Sequence, residues 1–333
     1  MGPREAVGPA TPPAGADRGG RPAPLLSIVV ETWNEDPGHD IGLGQSLAAL
    51  ARQTVPIERC EVLVVVPETS SALVETVRQA LPGARILTPD RALGYGQMKM
   101  YGARAAACDV VALADADCVV DAGWVAAVLD GFREAPEAVG VLQGLTRHAE
   151  GPGWQAATLQ YCRSMWSPSR RGRFIVLNNF AIRRALLERF PFADVPARQG
   201  VERLLVRAMS AGRWEIRIER RMRATHAYRG GLIAWFQRGR AEAYDRLETL
   251  RLVYPLLEPP AEVASLCRLR SRLRHHTRRG LDTVGDLIRC RDELGIGPRA
   301  FLASGLAAAT IWAGACVGAW QASRGGGRPP TTF

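Results

Sequence analysis

Two carboxylates one residue apart, Asp115 and Asp117, close the apolar run Val110-Val111-Ala112-Leu113-Ala114. An apolar run that ends in charge is the pattern of a central parallel strand delivering ligands to its carboxyl edge, where open α/β sheets place their sites. Alternate residues of a strand face the same way, so the pair can share one hard cation such as Mg2+ or Mn2+ and thereby hold a diphosphate. Asp-x-Asp also occurs in solvated loops, so the reading rests on what precedes it.

Three strands and three helices lead to this run. Leu25-Leu26-Ser27-Ile28-Val29-Val30 reads as a strand that breaks into the polar Glu31-Thr32-Trp33-Asn34-Glu35, and Cys60-Glu61-Val62-Leu63-Val64-Val65-Val66 as a second that ends on Pro67-Glu68-Thr69-Ser70. Helical spacing separates them (Ile41, Leu43, Leu47, Leu50) and follows the second (Leu73, Val74, Val77, Leu81). A short strand, Arg85-Ile86-Leu87, then the Gly-rich Leu93-Gly94-Tyr95-Gly96-Gln97-Met98-Lys99 and a helix over 100–108 complete the approach. Strand alternating with helix implies right-handed crossovers, and four strand ends gather on one edge.

These segments, in this order and spacing over about residues 25–145, resemble the family 2 glycosyltransferases. The opening strand of that family reads S-I-V-x-P-T-Y-N-E, against Ser27 to Glu35 here; its third signature, a basic residue three before a glycine and an alanine-rich helix running into D-A-D, appears as Lys99, Gly102, Ala105-Ala106-Ala107 and Asp115-Ala116-Asp117. The resemblance implies an α/β fold of GT-A type, a Rossmann-like, mostly parallel sheet flanked by helices, with a C-terminal helical region. It implies a metal-dependent, inverting transfer of a sugar from a nucleotide-diphosphate donor to a hydroxyl of a glycan or lipid-linked acceptor, as in polysaccharide biosynthesis. Thr32, Asn34, Glu35, Glu68, Lys99 and Asp115 would contact the nucleotide sugar. Asp115 and Asp117 would hold Mn2+ or Mg2+, which stabilises the charge developing on the departing diphosphate. Lys99, the only lysine among 43 Lys and Arg residues, would add a compact positive charge beside the phosphates; its ordinary alternative is an exposed helix residue. Three departures leave the preferred base open: Pro67 stands where the family places an acidic residue that reads uracil, Glu31 replaces a proline, and Met100 replaces an asparagine.

Beyond residue 145 the resemblance continues less faithfully. Leu177-Asn178-Asn179-Phe180-Ala181-Ile182-Arg183-Arg184 looks like the strand and turn opening the acceptor side, with Asn179 as an acceptor contact. The stretch Gln199 to Gly212 resembles the family's E-D-x-x-L-x-x-R-x-x-x-A-G helix. Anchored on Arg207 and Ala211-Gly212, the acidic pair falls on Gly200 and Val201, so Glu202, one residue late, is the candidate base for the acceptor proton, with Asp194 in reserve; pairing with a neighbouring arginine is Glu202's competing role. His226, after a strand at 214–218, matches a histidine that in such enzymes turns onto the metal or diphosphate. Trp154 and Trp166 lie in the variable acceptor region, where an aromatic face can stack on a sugar.

Composition bounds the rest. The 333 residues divide into a Pro/Gly/Ala-rich tail (1–24), a catalytic region (25–255, with the nucleotide-sugar and metal half ending at 145), a basic helical segment (256–300), an uncharged segment (301–320) and a tail (321–333). Seven cysteines without a C-x-x-C pair argue against a disulfide framework or a zinc site and suit an intracellular enzyme. The formal charge of +10 is concentrated toward the C-terminus, where Arg268, Arg270, Arg272, Arg274, Arg278 and Arg279 cluster, and no nucleic-acid recognition pattern accompanies it. Residues 301–320 are long enough to cross a bilayer, and the upstream arginines would keep the catalytic region at the cytoplasmic face and attract anionic lipid. The alternative function is a catalytically weak nucleotide-sugar or glycan-binding membrane assembly factor.

Overall fold

The structure is a computed structural model in which residues 23–33, 42–67, 70–166, 175–189, 195, 197, 199–227 and 230–325 are described. Asn34, Glu35, Glu68 and Asp194 lie outside the described residues, as do most of both tails. Along the chain run β1 (Ser27–Glu31), α1 (Leu43–Ala51), β2 (Glu61–Val65), α2 (Ser71–Ala80), β3 (Arg85–Leu87), α3 (Tyr95–Arg104), β4 (Val110–Asp115), β5 (Cys118–Val120) and α4 (Trp124–Glu134). They continue with β6 (Val139–His148), α5 (Trp154–Tyr161), α6 (Arg163–Trp166), β7 (Asn179–Arg183), α7 (Arg184–Arg189), α8 (Glu202–Ala211), β8 (Glu215–His226), α9 (Leu232–Leu252), α10 (Pro260–Cys267), α11 (Leu269–Arg289) and α12 (Pro298–Ser323).

Among the described residues the strands form one eight-stranded sheet in the order β3-β2-β1-β4-β7-β6-β8-β5. The strands β1 to β4 pair in parallel, as the crossovers require, while β7 runs antiparallel to both β4 and β6, so the sheet is mixed. The chain winds from β1 outward to β3 and then returns to place β4 on the other side of β1. That reversal is a topological switch point, where a crevice opens outside the strand ends. Glu31 and Asp115 face each other across it in register. One sheet face is filled by Ile28, Val30, Val62, Val64 and Ala112 under α1, α2 and α4, and the other by Val29, Leu63, Val65, Val111 and Leu113 under α3 and α8. This two-sided burial is why the central strands read as continuous apolar runs rather than alternating ones.

Glycine sets the approach of α3 to the sheet. A Cβ on Gly102 would lie 2.4 Å from Val29 Cγ1 and 2.9 Å from Val65 Cγ2, so only a glycine lets the helix settle this close. Lys99, one turn earlier on the same helix, is thereby carried over the ends of β1 and β4.

The C-terminal helices α11 and α12 return to pack against α5. By length and composition α12 is long and apolar enough to cross a membrane. Its small residues (Ser304, Ala307, Ala308, Gly314, Ala315, Gly318, Ala319), with Ile311, are buried. A Cβ on Gly314 would meet the Phe236 carbonyl oxygen at 2.0 Å, and one on Gly239 the Ile311 oxygen at 2.0 Å, so α12 and α9 touch backbone to backbone. The opposite face carries the large side chains Leu302, Leu306, Trp312, Val317 and Trp320, all exposed. The basic cluster also divides. Arg272 and His276 are buried and Arg279 pairs with Glu242, whereas Arg268, Arg270, Arg274 and Arg278 stay exposed.

Candidate active site

The ammonium of Lys99 is sealed from solvent at 0 % exposure, against a carboxylate oxygen of Asp115 and 3.5 Å from Glu31 Oε1. It is therefore not an exposed helix residue. Asp115 also accepts from the Tyr95 hydroxyl, at 3.0 Å to Oδ2. Burial drives Glu31 up to about 8, against the opposing pull of Lys99 and with the Asp115 charge adding to the rise. Lys99 itself is held above its usual value because Asp115 and Glu31 outweigh its desolvation.

Asp117 lies two residues beyond the end of β4 and is buried with a weaker set of partners. Its Oδ2 lies 3.4 Å from Nε2 of His226, and the Cys118 thiol stands 3.9 Å from Oδ1. Burial raises its pKa well above the ordinary carboxylate value, the Asp115 charge adds to this, and Lys99 opposes it. A buried carboxylate beside a second one calls for a cation.

His226 reaches this point through the pairing of the sheet. Cys118 of β5 pairs with His226 of β8, His148 of β6 pairs with it from the other side, and the Ala227 amide donates to the Asp117 carbonyl at 2.8 Å. The His226 Nδ1 lies 2.6 Å from the Ala227 carbonyl, which fixes the proton on Nδ1 and turns the Nε2 lone pair toward Asp117. Burial and the nearby Arg238 lower its pKa, so the ring is neutral at neutral pH. Ligand atoms of Asp115, Asp117, Cys118 and His226 all lie within 4.8 Å of one another. Two carboxylates and a neutral imidazole are the donor set of a hard or borderline divalent ion, so the residues fit Mn2+ or Mg2+. Cys118 is the odd member: burial and the charges of Asp117 and Asp115 raise the pKa of its thiol, and sulfur is a softer donor than Mn2+ or Mg2+ prefers. With both Asp115 oxygens contacted by the Tyr95 hydroxyl and one also by Lys99, Asp117 and His226 are the freer pair.

A cavity of about 640 Å³ opens beside this cluster, with Tyr95 on one wall and Glu202 on another. Glu202 begins α8 two residues after Gly200, whose φ of +87° turns the chain toward the helix beside Thr249. That backbone explains why the acidic pair anticipated at 200 and 201 is missing: a carboxylate at 200 would need a left-handed conformation and would strike Thr249, where a Cβ meets Cγ2 at 2.3 Å. Burial raises the pKa of Glu202, while Arg203, backbone amides and Arg246 pull the other way.

Other residues singled out in the sequence serve the scaffold. Thr32 donates its hydroxyl to the Val65 carbonyl at 2.9 Å, tying the end of β1 to β2. Asn179 is wholly buried, accepting from Trp124 Nε1 at 2.8 Å and donating to the Leu145 and Met222 carbonyls, so its amide is spent inside the sheet and not offered to an acceptor. Trp154 packs with Leu159 and Leu287 under the C-terminal helices, and neither it nor Trp166 lines the cavity. Tyr95, Glu31 and His148 were not anticipated. Tyr95 lies in the Gly-rich stretch one turn before Lys99, so helical spacing could have paired them; His148 carries no signal without the β6–β8 register.

The family model for glycosyl transferase family 2 matches residues 27–194, and the chain belongs to that family. It is a glycosyltransferase by that membership, on a GT-A fold. A mannosyltransferase from Pyrobaculum calidifontis, solved with GDP-mannose and Mn2+, is 18% identical, with a TM-score of 0.53 over 90% of this chain and 88% of its own. A glucosyl-3-phosphoglycerate synthase from Mycobacterium tuberculosis, solved with Mn2+, UDP and phosphoglyceric acid, is 17% identical over 70% of this chain and 79% of its own, at 0.49. TarS from S. aureus, solved with UDP-GlcNAc, is 16% identical over 90% and 92%, at 0.47. At these identities the likeness is one of fold. No curated protein matches the chain.

Proposed function

We propose that this enzyme transfers a sugar, with inversion, from a nucleotide-diphosphate donor to a hydroxyl of a glycan or lipid-linked acceptor. The observation that carries the reading is the meeting of Asp117 and the Nε2 of His226 beside the Lys99-held Asp115 at the switch point, with Tyr95, which donates to Asp115, also lining the cavity that bears Glu202. The donor's base and ribose would lie over the ends of β1 and β2, with its diphosphate toward Asp115 and Asp117. Asp117 and His226, with Asp115, would hold Mn2+ or Mg2+, which when bound supplies Lewis-acid stabilisation of the leaving diphosphate. Glu202 takes the acceptor hydroxyl's proton as its oxygen bonds to the anomeric carbon; the carbon–oxygen bond to the diphosphate breaks and its electron pair leaves with the nucleoside diphosphate. Its raised pKa makes Glu202 a stronger base than a solvated glutamate.

The C-terminal helices support association with the cytoplasmic face of a membrane, lying on the surface rather than spanning it. The side of α12 that would have to face lipid all round is occupied by α9, which carries Arg238, Arg240 and Glu242 and has no place in a bilayer core. The large apolar face of α12 and the exposed Leu281, Val284 and Ile288 of α11 lie alongside exposed arginines, the composition of an interfacial surface.

Release of nucleoside diphosphate from a panel of nucleotide sugars, with and without Mn2+ and without acceptor, tests the chemistry. Metal-dependent release with at least one donor is expected. Donor binding without release in any condition would favour the assembly-factor role, and neither binding nor release would overturn the reading.

A further inference from the structure

Four ligand atoms meet at Asp117, and one of them, the sulfur of Cys118, has no task in a site for Mn2+ or Mg2+. Cys118 opens β5, and its Cα partner across the antiparallel β5–β8 pair is His226. Residues directly opposite each other on antiparallel strands turn their side chains to the same face, so the sheet itself brings thiol and imidazole together. Asp117 joins them from the turn just before β5. The three donors stand close to the spacing that one small ion requires. Nε2 of His226 is 3.4 Å from Asp117 Oδ2, and the Cys118 sulfur is 3.9 Å from Asp117 Oδ1. With bonds of about 2.0–2.3 Å to nitrogen, oxygen and sulfur, the edges of a tetrahedral zinc site are roughly 3.3–3.6 Å long.

Its surroundings set Cys118 apart from a cysteine that merely fills space. Cys162 and Cys290 sit in apolar clusters with Met165 and with Leu287, whereas Cys118, just as buried, belongs to no apolar cluster among the described residues. It lies instead against the carboxylate of Asp117. Asp115 is held by Lys99 and the Tyr95 hydroxyl, which leaves Asp117, Cys118 and His226 as an oxygen, a sulfur and a nitrogen donor. Three protein ligands with a fourth position open are the pattern of an exchangeable zinc ion, not of a closed structural site. The His226 side chain is 14 % exposed, so an ion can reach the cluster. The lack of a C-x-x-C pair bears on zinc fingers only, because here the ligands come from two paired strands and the turn before one of them.

We propose that Cys118, with Asp117 and His226, makes this centre a second kind of metal site, which captures Zn2+ in competition with Mn2+ or Mg2+. The inference rests on the metal centre of the transferase reading and adds a control on it. Sulfur strengthens the binding of a borderline ion and does little for Mn2+, so the cysteine tips the choice of metal. The proton that burial holds on the thiol passes to solvent as Zn2+ binds, and the Zn–S bond takes its place. The two kinds of ion differ in what they leave open. An ion held tetrahedrally by three side chains offers one position, whereas an octahedral ion on Asp117 and His226 leaves several for the diphosphate oxygens. Zn2+ on Cys118 therefore displaces the working ion with one that grips the donor less completely.

Anaerobic titration of the metal-free, full-length chain with Co2+, a spectroscopic stand-in for Zn2+, tests the assignment. A thiolate-to-cobalt charge-transfer band in the near ultraviolet is expected, saturating at an equimolar ratio and lost in Cys118→Ser and in His226→Asn. Competition with a chromophoric chelator should show Zn2+ held at least about tenfold more weakly by Cys118→Ser, since even the outer partners of a ligand set are worth about 10–100-fold. Zn2+ should also drive bound Mn2+ off the wild-type chain, read as the return of the free Mn2+ resonance in electron paramagnetic spectra. Should the variants misfold, X-ray absorption of the wild-type zinc form replaces them, with a sulfur beside nitrogen and oxygen in the zinc shell as the expected result. The assignment is overturned by cobalt that fails to bind or binds without the band, by a band that persists in both variants, by a zinc shell of nitrogen and oxygen alone, or by Mn2+ that stays in place when Zn2+ binds. No donor is present in these measurements. A sulfur-bound ion in a chain that releases no nucleoside diphosphate would leave this assignment standing while the transferase reading failed, and Mn2+-dependent release without the sulfur signature would do the reverse.

Discussion

Replacing Lys99 by methionine keeps the length of its stem and removes its charge from a site that water does not reach. In the native chain the ammonium lies against Asp115 and 3.5 Å from Glu31 Oε1, with side-chain exposures of 0 %, 2 % and 0 %. At an effective dielectric of about 20 a unit pair at that separation interacts by roughly 5 kcal/mol, which sets the scale of each contact before desolvation is subtracted. Removing one partner of a buried pair costs about 3–5 kcal/mol because the surviving charge stays buried, and here Asp115 is the carboxylate orphaned at neutral pH. In a chain of this size that corresponds to a fall in Tm on the order of 10 °C, measured in EDTA so that no metal masks the loss. Protonation of Glu31 absorbs part of the penalty, since burial already raises that group to about 8. Adding Glu31→Gln to Lys99→Met should recover part of the fall only above about pH 8, where Glu31 is ionised; at neutral pH it is already mostly protonated and the second substitution should change little. A Lys99→Met protein that melts within about 2 °C of wild type would mean that the lysine is solvated and would refute the buried triad.

Three further outcomes follow from the same geometry. Asp117→Asn should abolish Mn2+-dependent donor binding without lowering the metal-free Tm, because burial already disfavours the Asp117 charge; retained binding in a metal titration would remove Asp117 from the site. Glu202→Gln should lower transfer about 10²–10⁴-fold while donor affinity barely changes. Since the base must be ionised and burial raises its pKa, wild-type kcat/KM should climb with pH through a limb above the ordinary glutamate value of 4.5, and the variant's profile should lose that limb; an unchanged profile would assign the base elsewhere. Gly314→Leu should destabilise the chain by at least about 1–3 kcal/mol, because the new Cβ would meet a main-chain oxygen that cannot turn aside. An unchanged melting curve for that variant would mean that α12 is not docked on α9.

Much of the nucleotide half was legible in the residues. The apolar runs of β1, β2 and β4 can only be buried strands, their spacing requires crossover helices, and the glycine at 102 three residues after a lysine fixes how α3 approaches the sheet. Local chemistry of this kind is written in neighbouring positions, so Asp115 and Asp117 announce themselves. The departure at 200 was also visible as a missing carboxylate, but its reason was not: a positive φ and a threonine from α9 exclude any side chain there.

What the sequence could not rank, the tertiary structure decided. His226 becomes the partner of Asp117 through a strand pairing between residues more than a hundred positions apart, and the β5–β8 and β6–β8 registers have no local signature. Asn179 looked like an acceptor contact because its stretch resembles the strand that opens the family's acceptor side, yet its position in the middle of the sheet commits it to Trp124 and two carbonyls. The arginine-rich segment read as one membrane-facing cluster; folding sends half of α11's basic residues inward, to Glu242 and the cavity, and leaves the other half outside. An uncharged helix rich in alanine and glycine is equally suited to a bilayer or to a close helix pair. Only the placement of its small residues against the backbone of α9, with its large ones turned outward, selects the docked arrangement, because backbone contact at that distance leaves no room for lipid between the two helices.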